Sequence, residues 1–101
     1  MSVTISLTQP ITAHGDELYL LELREPTTKD VRSLGYPYVL VNTASGSGGI
    51  EFLANVVANY IVLLGKIPMS SVDQLTLADF TRAQGVVQGF FKMGDDEASS
   101  S

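Results

Sequence analysis

Apolar and polar residues alternate at the start of the chain, with Val3, Ile5 and Leu7 set against Thr4, Ser6 and Thr8. That is the period of a half-buried strand. Pro10 either limits the strand or confines it to an edge, because proline has no N–H to give to a ladder. A second extended run, Glu17 to Glu25, puts Tyr19, Leu21 and Leu23 on one face and Leu18, Leu20, Glu22 and Arg24 on the other. Between the runs lies Ala13-His14-Gly15-Asp16, a turn-prone stretch in which Gly15 is best able to take a positive φ, so a hairpin is predicted. Two strands alone are marginal, and this hairpin is expected to lie on helices.

The period then changes. Pro26-Thr27-Thr28-Lys29-Asp30 reads as a helix start with Thr27 as cap, and Gly35-Tyr36-Pro37 as its stop, giving about two turns ending near Leu34. Tyr38 to Val41 is short, β-branched and apolar, and fits either a third strand or a buried connection. Asn42 to Gly49, NTASGSGG, reads as a flexible link between a β-containing half and a helical half. From Ile50 to Leu64, the residues Leu53, Val56, Val57, Tyr60, Ile61 and Leu64 recur at helical spacing. Gly65 suits a left-handed cap, Pro68 stops the helix, and Ser70 and Asp73 are placed to cap a short turn through Leu75.

The last helix is predicted from Leu77 to Met93. Thr76 is the N-cap and Asp79 the first-turn carboxylate facing the positive end of the dipole. Leu77, Phe80, Ala83, Val87 and Phe90 form one apolar stripe, while Ala78, Arg82, Gly85 and Gly89 form a second face of mostly small side chains. Interior glycines cost a helix about 1 kcal/mol each relative to alanine. Gly85 and Gly89, spaced as G-x-x-x-G around Val86, therefore call for a reason, either close packing on the preceding helix or a groove for a partner. Phe90 and Phe91 point about 100° apart on a helix, so one ring is expected to be left for a partner. The fold class is thus α+β: an N-terminal β-hairpin, with or without a third short strand, on a C-terminal half of two main helices plus short ones. Residues 1–93 read as one domain and 94–101 as a solvated acidic and serine tail.

Composition narrows the function. The 101 residues carry 45% hydrophobic content, enough for one modest core and no second domain. Six basic against eleven acidic residues, net −5, are opposite in sign to a phosphate-binding surface, which argues against nucleic acid. With no cysteine and one histidine, thiolate and common zinc ligand sets are excluded. No run is long enough for a membrane span, and MSVTISLTQP lacks the features of an export signal. His14 stands on a turn without a nucleophile nearby, no serine sits in a G-x-S-x-G elbow, and Asp95, Asp96 and Glu97 lack EF-hand spacing. Neither a catalytic residue, a cofactor site nor a metal site is expected.

Several segments also carry a family resemblance: ISLTQPI-x-x-x-G, LYLLELREPTTKDVRSLG, LLGKIP, VDQLTLADF and GVVQGFF. Together they resemble the small tail assembly chaperones of Mu-like and related contractile-tailed phages and prophages, with Leu77 where that family often has proline. The resemblance implies a non-enzymatic factor in the host cytoplasm that binds the tape measure protein before tail tube subunits polymerise round it and is absent from the mature virion; the competing reading is a small structural connector retained in the tail. In many such systems a frameshift near the end of the gene also makes a longer form whose extension recruits tail tube subunits. The residues expected to meet partners are Gly85, Val86, Gly89, Phe90 and Phe91 on the last helix. Leu18 and Leu20 on the hairpin are expected to lie at the solvent side or at a subunit contact, so self-association is predicted.

Overall fold

The computed structural model of the chain describes residues 2–42 and 48–91. In order they form β1 (Ser2–Ala13), β2 (Asp16–Arg24), α1 (Thr28–Leu34), β3 (Tyr38–Asn42), β4 (Gly48–Phe52), α2 (Ala54–Gly65), α3 (Met69–Val72) and α4 (Leu77–Phe90). The β1–β2 hairpin packs on α2, α3 and α4, so the expected α+β arrangement holds. Its turn has positive φ at both His14 (54°) and Gly15 (83°), the signature of a type I′ turn that matches strand twist. His14 Nε2 donates to the Lys66 carbonyl at 3.0 Å and ties this turn to the end of α2.

Pro10 does not end β1. The strand pairs from Ser2↔Arg24 to Ser6↔Leu20, slips, and resumes at Ile11↔Leu18. Leu7 to Pro10 thus stand as a bulge where proline's missing N–H breaks no ladder bond. Beyond the bulge Ile11 and Ala13 re-enter the core beside Ile5, Leu21 and Leu23. Tyr19, expected to share the face of Leu21 and Leu23, is instead 59% exposed; it lies opposite the slip, where the face is interrupted.

Thr27 caps α1 in a reciprocal capping box with Asp30. The third-strand reading of Tyr38 to Val41 is the one realised, but its partner was not foreseen: β4 covers Ile50 to Phe52, which the helical period assigned to α2. The Leu53 amide donates to the Pro37 carbonyl at 2.9 Å, and Leu53 is extended as the N-cap of α2. Pairing with β3 outweighs the helical pattern at those residues. Residues 43–47, the middle of the expected flexible link, lie outside the described residues, but its ends belong to paired strands.

The core is Val57, Tyr60, Ile61 and Leu64 of α2, Ala83 and Val87 of α4, and the inward residues of the hairpin, with Ile67 and Val72 between helices. Tyr60, fully buried, satisfies its hydroxyl on the Gly35 carbonyl at 2.6 Å. Gly65 is not the left-handed cap; Lys66 takes that conformation (φ 57°, ψ 43°). The glycine serves packing instead, since a Cβ there would stand 3.0 Å from Leu21 Cδ1 and 3.3 Å from Leu23 Cδ2. Nor does Ser70 cap α3, whose N-cap is Pro68. Ser71 is fully buried and donates its hydroxyl to the Thr12 carbonyl of β1, a tertiary tie in place of the expected cap.

Candidate partner-binding site

Helix α4 is held at both ends. At its start Thr76 accepts the Asp79 amide at 3.1 Å, as an N-cap should. Asp79 does more than face the dipole: it is fully buried, and its Oδ2 accepts both the amide and the hydroxyl of Thr8 at 2.9 Å. Those donors come from the bulge in β1, which turns the Thr8 amide away from β2 and toward α4. Arg82 reaches from the next turn to the Ser6 carbonyl at 2.6 Å and to Asp79 Oδ1 at 3.2 Å. Burial pushes the Asp79 carboxyl up, but hydrogen bonds from Thr8, Thr76 and the Gln9 amide outweigh it and hold the group below the usual carboxylate value.

At the other end Phe91 sits in a ring cluster. Its ring lies 5.4 Å from Tyr60, 6.0 Å from Tyr36 and 6.2 Å from Tyr38, each edge-on. Phe90 is half-buried against the core. Both rings find intramolecular contacts, which differs from the expectation that one would be left over, because the first β3 residue and Tyr36 build a second aromatic wall for Phe91. Met93, the expected end of the helix, and the expected tail, 94–101, lie outside the described residues.

Between these anchors α4 shows an open face. Leu77, Ala78, Thr81, Arg82, Gly85, Gln88 and Gly89 are all exposed and share one side of the helix by spacing. Gly85 and Gly89 are not used for internal packing: a Cβ added at either would meet no atom within 4 Å. Val86 is half-buried and packs on the core. Leu77, assigned to the core stripe by its spacing, is 80% exposed. It stands at the first helical position, one residue after the cap, and the Thr8–Asp79 clasp turns the inner side of that first turn to β1 so that Leu77 points away.

The hairpin patch is separate. α4 packs on β1 and α2, while Leu18 and Leu20 lie on β2, which packs on β1 and α2. Leu20 is 57% exposed and Leu18 half-buried against the core. Sequence spacing located the glycine face but missed Leu77 and the roles of Thr8 and Asp79. Thr76 at a cap with Asp79 three residues on was the available signal for the clasp.

Among the described residues no three His, Cys, Asp or Glu side chains are grouped to hold a metal ion, and no helix is long and apolar enough to cross a membrane. The fold and site define a small α+β domain that presents a clamped helix with an open small-residue face. The chain belongs to the phage tail assembly chaperones: the family model described as "Phage tail assembly chaperone proteins, E, or 41 or 14" matches residues 4–92. No curated protein and no solved structure matches it.

Proposed function

We propose that this tail assembly chaperone acts as a non-enzymatic holdase in the host cytoplasm, binding an apolar helical segment of the tape measure protein along the outer face of α4. The observation that carries this reading is the uncovered stripe on a helix whose two ends are fixed. Gly85 and Gly89 weaken the helix without serving any contact inside the chain, and small residues let a second helix approach closely. Leu77 supplies an exposed apolar anchor at one end of the stripe, and Val86 and the edge of Phe90 border it. A helix laid in such a groove is read through anchors at helical spacing.

The test is pull-down of a tape measure fragment by the chain and by Gly85→Leu and Leu77→Ser. Both variants should fold, with Leu77→Ser melting close to wild type and Gly85→Leu melting no lower than it, yet capture less fragment. Undiminished capture by both would move the client elsewhere. Mass spectrometry of purified particles bears on the same reading, since a chaperone should be missing from the virion; a fixed copy number there would make the protein a structural connector.

A longer form that adds tail tube subunits to the same client is part of the proposal. Phe90-Phe91-Lys92 permits the codons UUU UUU AAA or AAG, on which two tRNAs re-pair after a one-base backward slip. A change of frame there keeps α4 and replaces the sequence beyond it. UUC at either phenylalanine codon, or an immediate stop in the −1 frame, rules out a slip at this position.

A further inference from the structure

Arg82 stands in the middle of the open face of α4. By helical spacing it has Ala78 one turn before it and Gly85 and Gly89 in the turns after it, and all three are exposed. Among the exposed residues of that face, Leu77, Ala78, Thr81, Arg82, Gly85, Gln88 and Gly89, it carries the only charge. It is not a loose surface arginine. Its Nη1 donates to the Ser6 carbonyl at 2.6 Å and to Asp79 Oδ1 at 3.2 Å, which pins the guanidinium where α4 meets β1. Both of those bonds leave from Nη1. The N–H groups on Nε and Nη2 have no partner among the described residues, and the side chain is 44% exposed. Arginine holds its donors in a rigid planar fork, and an edge made of Nε and Nη2 suits a carboxylate that accepts with both oxygens.

Water serves these donors while the face is open. A helix lying on Gly85 and Gly89 closely enough to use their small size takes that water away, and a charged donor buried without an acceptor is costly. The main chain of the incoming helix cannot answer, because its mid-helix carbonyls are engaged in its own hydrogen bonds. The acceptor has to come from a side chain.

We infer that the client segment carries an aspartate or glutamate within its apolar helix, and that this carboxylate docks on the Nε and Nη2 edge of Arg82. The inference rests on the reading of α4 as the client site and adds to it what the partner must contain. Arg82 is then the residue that sets specificity. Leu77, Gly85 and Gly89 accept apolar helices in general, whereas Arg82 disfavours any that brings no acceptor, a discrimination made by the cost of the wrong partner. The pair also sets the position of the client along α4, since one directional contact at a fixed guanidinium defines a register that apolar contacts alone leave free.

The test uses the full chain and a tape measure fragment that it captures. Each Asp and Glu of the fragment is changed in turn to Asn or Gln, and affinity is measured by calorimetry. One replacement should weaken binding roughly tenfold to a hundredfold, the range for a hydrogen bond to a charged group. Against Arg82→Gln, checked by circular dichroism and melting, the same replacement should change affinity by less than about twofold, because its partner is gone. If Arg82→Gln does not fold, Arg82→Lys takes its place, keeping the charge and lacking the fork; a smaller loss than with the unaltered chain supports the pair, and an undiminished loss overturns it. A fragment in which no acidic residue matters also overturns the inference, as does an equal loss against the unaltered chain and Arg82→Gln. Gly85→Leu and Leu77→Ser tell this failure from failure of the site. If they lower capture while no acidic residue matters, the client still lies on α4 and only the carboxylate falls; if neither lowers it, the site falls and the carboxylate with it.

Discussion

Replacing the glycines of this chain one at a time separates helix propensity from packing. Gly85 lies well inside α4, is exposed, and would place a Cβ in open space. Gly85→Ala should therefore return most of the intrinsic helix penalty, about 0.8–1.0 kcal/mol, which for a domain of this size raises Tm by about 4–8 °C. Gly89 adjoins the last helical residue, Phe90, where ends fray, so Gly89→Ala should give roughly half that gain. Gly65→Ala should do the opposite. Its Cβ would fall 3.0 Å and 3.3 Å from the methyl ends of Leu21 and Leu23, both fully buried and unable to yield freely, and overpacking of that kind costs about 1–3 kcal/mol. Urea unfolding with a shared slope measures all of these on one scale. Destabilisation by Gly85→Ala would mean that α4 has a close neighbour inside the chain, and a neutral or stabilising Gly65→Ala would refute the close approach of α2 to β2. If Gly85→Ala stabilises while lowering client capture, the glycine is kept for a partner at the expense of the fold.

Acid should expose the tie between the hairpin and α1. The Arg24 guanidinium at 2.8 Å and the Thr27 amide hold the Asp30 carboxyl at about 2, below its ordinary 3.8. A depressed folded-state value stabilises above the unfolded one and is lost as pH falls through the folded one, so this contribution is present above 3.8 and disappears toward about 2. Arg24→Ala removes the largest cause and should shift acid unfolding to higher pH, as followed by circular dichroism; an unchanged acid midpoint would count against the tie. Ser71→Ala should cost about 1 kcal/mol, moderated by the remaining Gln74 bond to the Thr12 carbonyl, and a larger loss would show that Gln74 cannot substitute. Asp79→Asn puts an amide where the Thr8 amide and hydroxyl both donate, so it should lower Tm and loosen amide exchange protection at Thr8 and Gln9; unaltered protection there would refute the clasp.

What the sequence determined by itself is what depends on near neighbours along the chain. The turn at His14-Gly15, the capping box of Thr27 and Asp30, the Thr76 cap and the inward stripe of Val57, Tyr60, Ile61 and Leu64 are set by backbone preferences and by spacings within one or two helical turns. Such rules act the same wherever the segment ends up. The tertiary structure decided the rest, because those outcomes rest on partners far away in sequence. Ile50 to Phe52 became a strand because β3 offered a ladder, and the bonds from Thr8 to Asp79 set that side of the first turn of α4 against β1, which left Leu77 outside. No periodicity distinguishes Gly65 from Gly85. One became a point of contact and the other open surface only when the hairpin came to lie on α2, where the methyl groups of Leu21 and Leu23 already occupied the space that a side chain at Gly65 would need.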